Sequence, residues 1–216
     1  SVQDGTLRFT VPEGNHVLYV GIHRTSARQG GNSGKPDDFV LDYFNKEGVQ
    51  AYLDHFSSTA RPVLGGRIGD TFRAFFVSSV EIWPANWTTG LAEAFRRRRG
   101  YDLLPQAQFA TGLYHIPYYK CKNVRPDLFT AAPEPAEVIR RVRYDYSKTL
   151  VELFQENFAE TVHRWCRAQG IPFRFQAYGY PWNIGIAENY LVPDIPEGNN
   201  WILSDQPDHG WEVWNL

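Results

Sequence analysis

Methionine is missing altogether from this chain of 216 residues, and cysteine occurs only at Cys121 and Cys166. Two cysteines without paired spacing say little about metal or redox chemistry. They leave open one disulfide in an oxidising compartment or two free thiols. No charge of one sign dominates: 22 Lys and Arg stand against 24 Asp and Glu, a formal net charge of −2. A surface so balanced does not attract polyanions, so neither nucleic acid nor an anionic membrane is an expected partner. No run of eighteen apolar residues occurs, which excludes a spanning helix, and the start lacks the basic-then-apolar order of a secretion signal. A first residue of Ser1 and the absence of Met suggest a processed product or, preferably, an excerpt of a longer polypeptide. The motifs of other chemistries are also missing. There is no Gly-x-Gly-x-x-Gly after a strand, no phosphate loop, no Gly-x-Ser-x-Gly and no His-Glu-x-x-His, and the six histidines show no ligand spacing.

Aromatic residues are abundant instead, with seven Trp, twelve Tyr and fourteen Phe. Such rings pack cores, and they also stack on the C–H faces of sugars. With 43% apolar residues the chain is long enough for one ordinary globular core.

Along the chain, Leu7–Val11 and Val17–Ile22 around a Pro12–Asn15 turn predict a hairpin. Residues 26–38 read as a loop and Phe39–Phe44 as a short buried strand. Asn45 is placed to cap a helix over 46–58, in which Val49, Tyr52, Leu53 and Phe56 recur at helical spacing. A strand follows over 72–82, then an aromatic loop. The next helix starts near Thr88 or Thr89, with Arg96–Arg99 in its last turn and Gly100 as its stop. The four arginines are therefore a helix end before they are a binding patch. Residues 101–135 hold five prolines and no sustained period, which suggests an insertion or lid. From about Glu137 to Gln169 an apolar residue returns every three to four positions, the longest helix, closed by Gly170. Phe173 to Tyr178 alternates, so Phe173, Phe175 and Ala177 share one face, and Arg174, Gln176 and Tyr178 the other. Such a polar face suggests a site.

Strand-then-helix order predicts an α/β fold with parallel strands in a barrel or an open wound sheet; with three candidate units where a barrel needs eight, the chain supplies only part of one. In a barrel the carboxyl ends of the strands gather functional groups, which here include Asp42, Glu81 and Gln176 to Tyr178. Glu81 ends an apolar strand before the Trp83–Trp87 loop. A carboxyl group beside apolar surface can hold a proton near neutral pH and act as a general acid. A strand-end glutamate paired with an arginine is the plainer alternative. Glycoside hydrolysis needs a second carboxyl group, for which Glu197 is the best-placed candidate and Glu188 and Asp194 are competitors. His163, on the long helix, is read as a surface or satisfied residue rather than a zinc ligand. Asn86-Trp-Thr88 matches a glycosylation acceptor and is read as part of a sugar-binding rim.

Six blocks in serial order carry a family resemblance: Val40-Leu-Asp-Tyr-Phe44 with Ala51-Tyr-Leu-Asp-His-Phe56; Phe72-Arg-Ala-Phe-Phe76 with Ser79-Val-Glu-Ile82 and Asn86-Trp-Thr88; Glu93-Ala-Phe-Arg-Arg-Arg-Arg-Gly-Tyr-Asp-Leu103; Arg141-Val-Arg-Tyr-Asp-Tyr146; Gln176-Ala-Tyr-Gly179; and Ile195-Pro-Glu-Gly198. From about residue 5 to residue 200 the chain resembles glycoside hydrolase family 106, the α-L-rhamnosidases. The resemblance implies a large multidomain enzyme with a (β/α)8 TIM-type barrel, to which residues 1–38 lead and of which 39–216 form part. It implies inverting hydrolysis of terminal α-L-rhamnosyl residues, with a calcium ion, Ca2+, helping to hold the sugar. Glu81 and Glu197 match the family's two glutamates, while Asp42, Asn86, Trp87, Gln176 and Tyr178 fall where the sugar is positioned. It also implies a carbohydrate partner and a secreted or periplasmic setting. Two departures bear on the metal site and the base: Ser78 where the family often has Asp, and Asn199 where it often has a second acid. A catalytically lapsed carbohydrate-binding protein and a glycosidase for another sugar, such as a β-galactoside, stand as alternatives.

Overall fold

The computed structural model describes residues 2–16, 18, 20–21, 41–81, 85–110, 133–177, 179–180 and 185–198. It opens with a minimal hairpin in which β1 (Val2–Gln3) pairs antiparallel with β2 (Thr6–Leu7). Asp4 and Gly5, both at positive φ, form the turn. The hairpin expected over Leu7–Val11 and Val17–Ile22 is not formed by the described residues there. Phe9, Val11, Leu18 and Val20 are exposed, so their alternation has no buried surface to face. The strand expected at Phe39–Phe44 is likewise a turn over its described part. Asp42 Oδ1 accepts the N–H of Phe44 at 3.0 Å, and the Asp42 carbonyl accepts the N–H of Asn45 at 3.1 Å. An aspartate side chain that captures nearby backbone donors competes directly with strand pairing.

Asn45 caps α1 (Lys46–Leu64), its side chain accepting the N–H of Gly48 at 2.7 Å. The helix outruns its predicted end at residue 58, passes through Pro62 in its last turn, and stops where Gly65 turns left-handed. A short 3-10 turn, Ile68–Asp70, leads into β3 (Phe75–Val77). After Ser78 and Ser79 comes β4 (Val80–Glu81), so the expected single strand over 72–82 is two. Next come α2 (Leu91–Arg99), stopped by Gly100 as expected, a 3-10 turn at Leu104–Gln106, and α3 (Ala107–Ala110). The rest of the 101–135 insertion up to residue 132 lies outside the described residues.

The long helix is present but not uniform. It runs as α4 (Pro133–Phe154), widens into a π turn at Gln155–Ala159, and continues as α5 (Glu160–Gln169) to the Gly170 stop. Then follow β5 (Phe173–Phe175), β6 (Gly179–Tyr180), α6 (Ile186–Tyr190) and β7 (Ile195–Pro196). All pairings outside the first hairpin are parallel: β3 with β5, β5 with β7, and β4 with β6. The fold is α/β with a parallel sheet.

Phe173, Phe175 and Ala177 are completely buried on one face, with Phe75 and Val77 of β3 partly buried against the same core. Phe175 meets Phe154 and Phe158 of the helical layer at ring distances of 6.3 and 6.0 Å, and Trp165, Phe56 and Phe75 form a mutual edge-on cluster at 5.0 to 5.8 Å. Period-two alternation on the strand and helical spacing on the long helix thus meet in one core. The opposite strand face, with Arg174 and Gln176, is left to polar work. Cys166 is wholly buried and free.

Candidate functional site

The two parallel ladders are out of step by one residue. In the first, Phe75 pairs with Phe173 and Val77 with Phe175; in the second, Val80 pairs with Gly179 and Glu81 with Tyr180. Between the paired positions the sequence holds two residues on one side, 78 and 79, and three on the other, 176–178. One strand carries an extra residue, which is a β-bulge, a feature that recurs beside active sites because it re-aims side chains. The ladder reaches the bulge intact, with Gln176 N–H donating to the Val77 carbonyl at 3.0 Å. Regular parallel pairing would send the next N–H, that of Ser79, to the backbone carbonyl of Gln176. It goes instead to the side-chain Oε1 of Gln176 at 3.1 Å, and Ser78 Oγ donates to the same atom at 3.4 Å.

The other end of that amide reaches the candidate base. Gln176 Nε2 donates to Glu197 Oε1 at 2.7 Å, and Arg174 binds Glu197 Oε2 through two guanidinium nitrogens. The Arg174 guanidinium also lies over the Phe76 ring, 4.9 Å from its centre. Backbone contacts complete the setting. Glu197 N–H donates to the Phe175 carbonyl at 3.0 Å, and the Tyr190 hydroxyl donates to the Glu197 carbonyl at 3.0 Å. Glu197 follows β7 immediately, so it stands at the carboxyl end of the parallel sheet.

Its competitors are occupied elsewhere. Asp194 precedes β7 and closes the opposite end of the sheet, where Oδ2 accepts the Phe173 N–H at 2.9 Å and Oδ1 lies 3.3 Å from His163 Nε2. The Phe173 N–H holds this carboxyl below the usual aspartate range; burial opposes it, and His163 and Arg167 add to the lowering. His163 is thus a partnered residue, as expected. Glu188 on α6 pairs with Lys148 of α4 at 3.4 Å.

Glu81 ends β4, its Cα paired with that of Tyr180; its side chain is not among those described. The loop that follows is pinned at its far end. Thr88 Oγ1 donates to Asp42 Oδ2 at 2.6 Å, and the Tyr146 hydroxyl donates to the Asn86 carbonyl. Asp42 thus ties the loop before α1 to the loop before α2. Asn86 is half-buried, and Trp87 packs against the core. The π turn supports the same region, since Asn157 Nδ2 donates to the Phe44 carbonyl at 2.7 Å and Gln155 Nε2 to the Glu188 carbonyl at 3.2 Å. Tyr178 and Asn199 lie outside the described residues.

The structure therefore gathers Gln176 and Glu197 in one cluster, and Asp42, Asn86 and Trp87 along one pair of loops. Arg174 was missed as a site residue, although it shares the polar strand face with Gln176. Thr88 and Tyr146 stood in quoted motifs, but their partners, 46 and 60 residues away, were not legible, and Asn157, whose partner is 113 residues away, carried no local signal. Among the described residues no three His, Cys, Asp or Glu side chains converge as a metal would require. Arg174 and Gln176 already take the Glu197 oxygens, so these residues do not fit a calcium ion.

Comparison with known proteins adds the decisive observation. The family profile of alpha-L-rhamnosidase, glycoside hydrolase family 106, matches residues 2–209. The chain belongs to this family. As a family 106 chain it is also 24% identical over 188 residues to a putative beta-glucuronidase of Formosa agariphila, a match covering 83% of this chain and 14% of that protein. The chain thus spans about a seventh of the length of that relative. The structure of the rhamnosidase from Novosphingobium sp. PP1Y is similar over 64% of this chain and 12% of its own, with 22% identity and a TM-score of 0.45.

Proposed function

We propose that this chain contributes the catalytic carboxyl groups of an inverting glycoside hydrolase that removes terminal α-L-rhamnosyl residues. Glu81 protonates the departing glycosidic oxygen and Glu197 activates the attacking water. The observation that carries this reading is the anchored carboxylate of Glu197 at the carboxyl end of a parallel sheet, gripped by Arg174 and Gln176. A cation beside Glu197 suits the group that must be anionic when water is attacked, which leaves the acid role to Glu81. Strand arithmetic supports the pairing. β3, which leads into β4, and β7 flank β5, so the backbones that run on to Glu81 and Glu197 start two strand spacings, about 10 Å, apart. Side chains turned to a common space from there can approach the roughly 6.5–9.5 Å that an intervening water requires. Asn86 and Trp87 form the sugar-binding rim with Tyr178, and Asp42 and Gln176 hold the backbone behind it.

In this proposal residues 39–216 form part of a (β/α)8 barrel in a larger, secreted or periplasmic polypeptide. Calcium enters through family membership alone, and no step here passes through it. The test is made on the full-length protein with an unactivated α-L-rhamnoside, whose poor leaving group needs protonation. Glu81→Gln and Glu197→Gln should each lower kcat by roughly 10²–10⁴, and the sugar released by the wild type should carry the inverted anomeric configuration by NMR. Wild-type turnover in either variant would falsify the assignment.

Two observations favour second readings. Occupation of both Glu197 oxygens by Arg174 and Gln176 also fits a lapsed, carbohydrate-binding site, which calorimetry would show as sugar affinity without turnover. The relative named as a putative beta-glucuronidase favours another sugar, and a panel of α-L-rhamnosides, β-D-galactosides and β-D-glucuronides separates that case.

A further inference from the structure

The amide of Gln176 does two jobs that no single backbone group could do. Its oxygen accepts the Ser79 N–H at 3.1 Å, two residues before Glu81, and so closes the bulge where the ladder changes register. Its nitrogen donates to Glu197 at 2.7 Å. The chemistry of the partners fixes the orientation of the amide, because a backbone N–H needs an acceptor and a carboxylate needs a donor. With the amide turned over, like would face like at both ends.

We propose that Gln176 is a positioning residue that sets the separation of the two proposed catalytic carboxyl groups, rather than primarily a ligand of the sugar. The inference rests on the hydrolytic reading above. One rigid, planar amide spans from the strand that carries Glu81 to the carboxylate of Glu197, and the bulge is what lifts it out of the ladder to do so. Without the plug, Ser79 loses its acceptor and β4 is free to settle back toward regular pairing, which moves Glu81 relative to Glu197. Arg174 on β5 remains the charged partner of the Glu197 carboxylate, and Tyr190 on α6 remains on its carbonyl, so the loss of Gln176 alters geometry without removing the charge balance.

The experiment compares Gln176→Glu and Gln176→Leu in the full-length protein with Glu197→Gln alongside. Gln176→Glu keeps an oxygen acceptor for the Ser79 N–H, so the bulge stays closed, but it replaces the donor to Glu197 with a second carboxylate. Gln176→Leu removes both bonds at similar volume. Both variants should lose roughly 10²-fold in kcat, as expected for misplaced reacting groups, with KM within about twofold of wild type. The loss should fall on kcat in each, because Glu197 keeps its charged partner Arg174 and loses the N–H donor that places it. A raised KM with kcat unchanged would show direct sugar contact and overturn the proposal, as would wild-type kinetics. Should Glu197→Gln itself retain full activity, the hydrolytic reading falls with it. If Glu197→Gln is inactive while both Gln176 variants match wild type, only the positioning role is lost.

Discussion

Replacing Glu152 by Gln removes the one anion shared by two arginines of another helix. Arg98 and Arg99, at the end of α2, both reach Glu152 Oε2 on α4, at 3.2 and 2.5 Å. The three side chains are only 15–25% exposed, so this is not a solvent-screened surface pair. Burial alone would push the Glu152 carboxyl up, but the bonds and charges of Arg99 and Arg98 outweigh it and hold the group below the usual glutamate range. Each charge-assisted hydrogen bond contributes about 1.5–3 kcal/mol net. The isosteric amide retains one neutral acceptor. Arg98 keeps Glu156 at 2.6 Å, and Arg99 Nε keeps Thr149 Oγ1 at 3.0 Å. The loss should therefore be about 2 kcal/mol rather than the 3–5 expected of a fully buried broken pair. Native-state hydrogen exchange by mass spectrometry reads this locally, as roughly 30-fold faster exchange of α2 and α4 peptides at neutral pH. The pH dependence has a definite sign. A carboxyl whose folded value is depressed contributes its stability above the ordinary glutamate range and loses it as pH falls through the folded value. The gap between wild type and variant must therefore narrow on acidification. Less than about threefold acceleration at neutral pH, or a gap that widens in acid, would refute the argument.

Two further outcomes follow from close packing. A Cβ added at Gly69 would stand 2.3 Å from the Gln169 carbonyl oxygen, a backbone atom that cannot rotate away. Gly69→Ala should cost about 1–3 kcal/mol, read as faster exchange at the end of α5 and the start of β3; unchanged exchange in both segments would contradict that close approach. The Cys166 thiol, pushed up to about 12 by burial and then by the charge of Asp194, should resist iodoacetamide in the native state at pH 8 and react once the chain unfolds. Peptide mapping distinguishes it from Cys121, and rapid native alkylation of Cys166 would show that this part of the core is open.

Local features were legible wherever a residue type acts on its own chain neighbours. Asn45 as a helix cap, Gly100 and Gly170 as stops and the buried alternation of Phe173, Phe175 and Ala177 are each decided within a few residues. Local reading failed where two local devices competed. Asp42 captures the N–H of Phe44 and turns Leu41–Phe44 away from a strand, and the described alternating residues after Leu7 are exposed. The candidate site was half legible. Glu81, Glu197 and Gln176 were singled out by their places beside apolar strands and turns, while Arg174 stood on the same polar face without being chosen.

What composition, spacing and serial motifs determined by themselves is the α/β character, the Asn45 cap and the Gly100 and Gly170 stops, the carboxyl groups worth testing and the family resemblance. What only the tertiary structure decided is the one-residue slip between the β3–β5 and β4–β6 ladders, the insertion of Gln176 into it, and the clasp of Arg174 and Gln176 on Glu197. A cap or a helix stop is satisfied by atoms a few bonds away. A bulge exists only relative to its partner strand, here nearly a hundred residues distant, and no local pattern records which strand that will be.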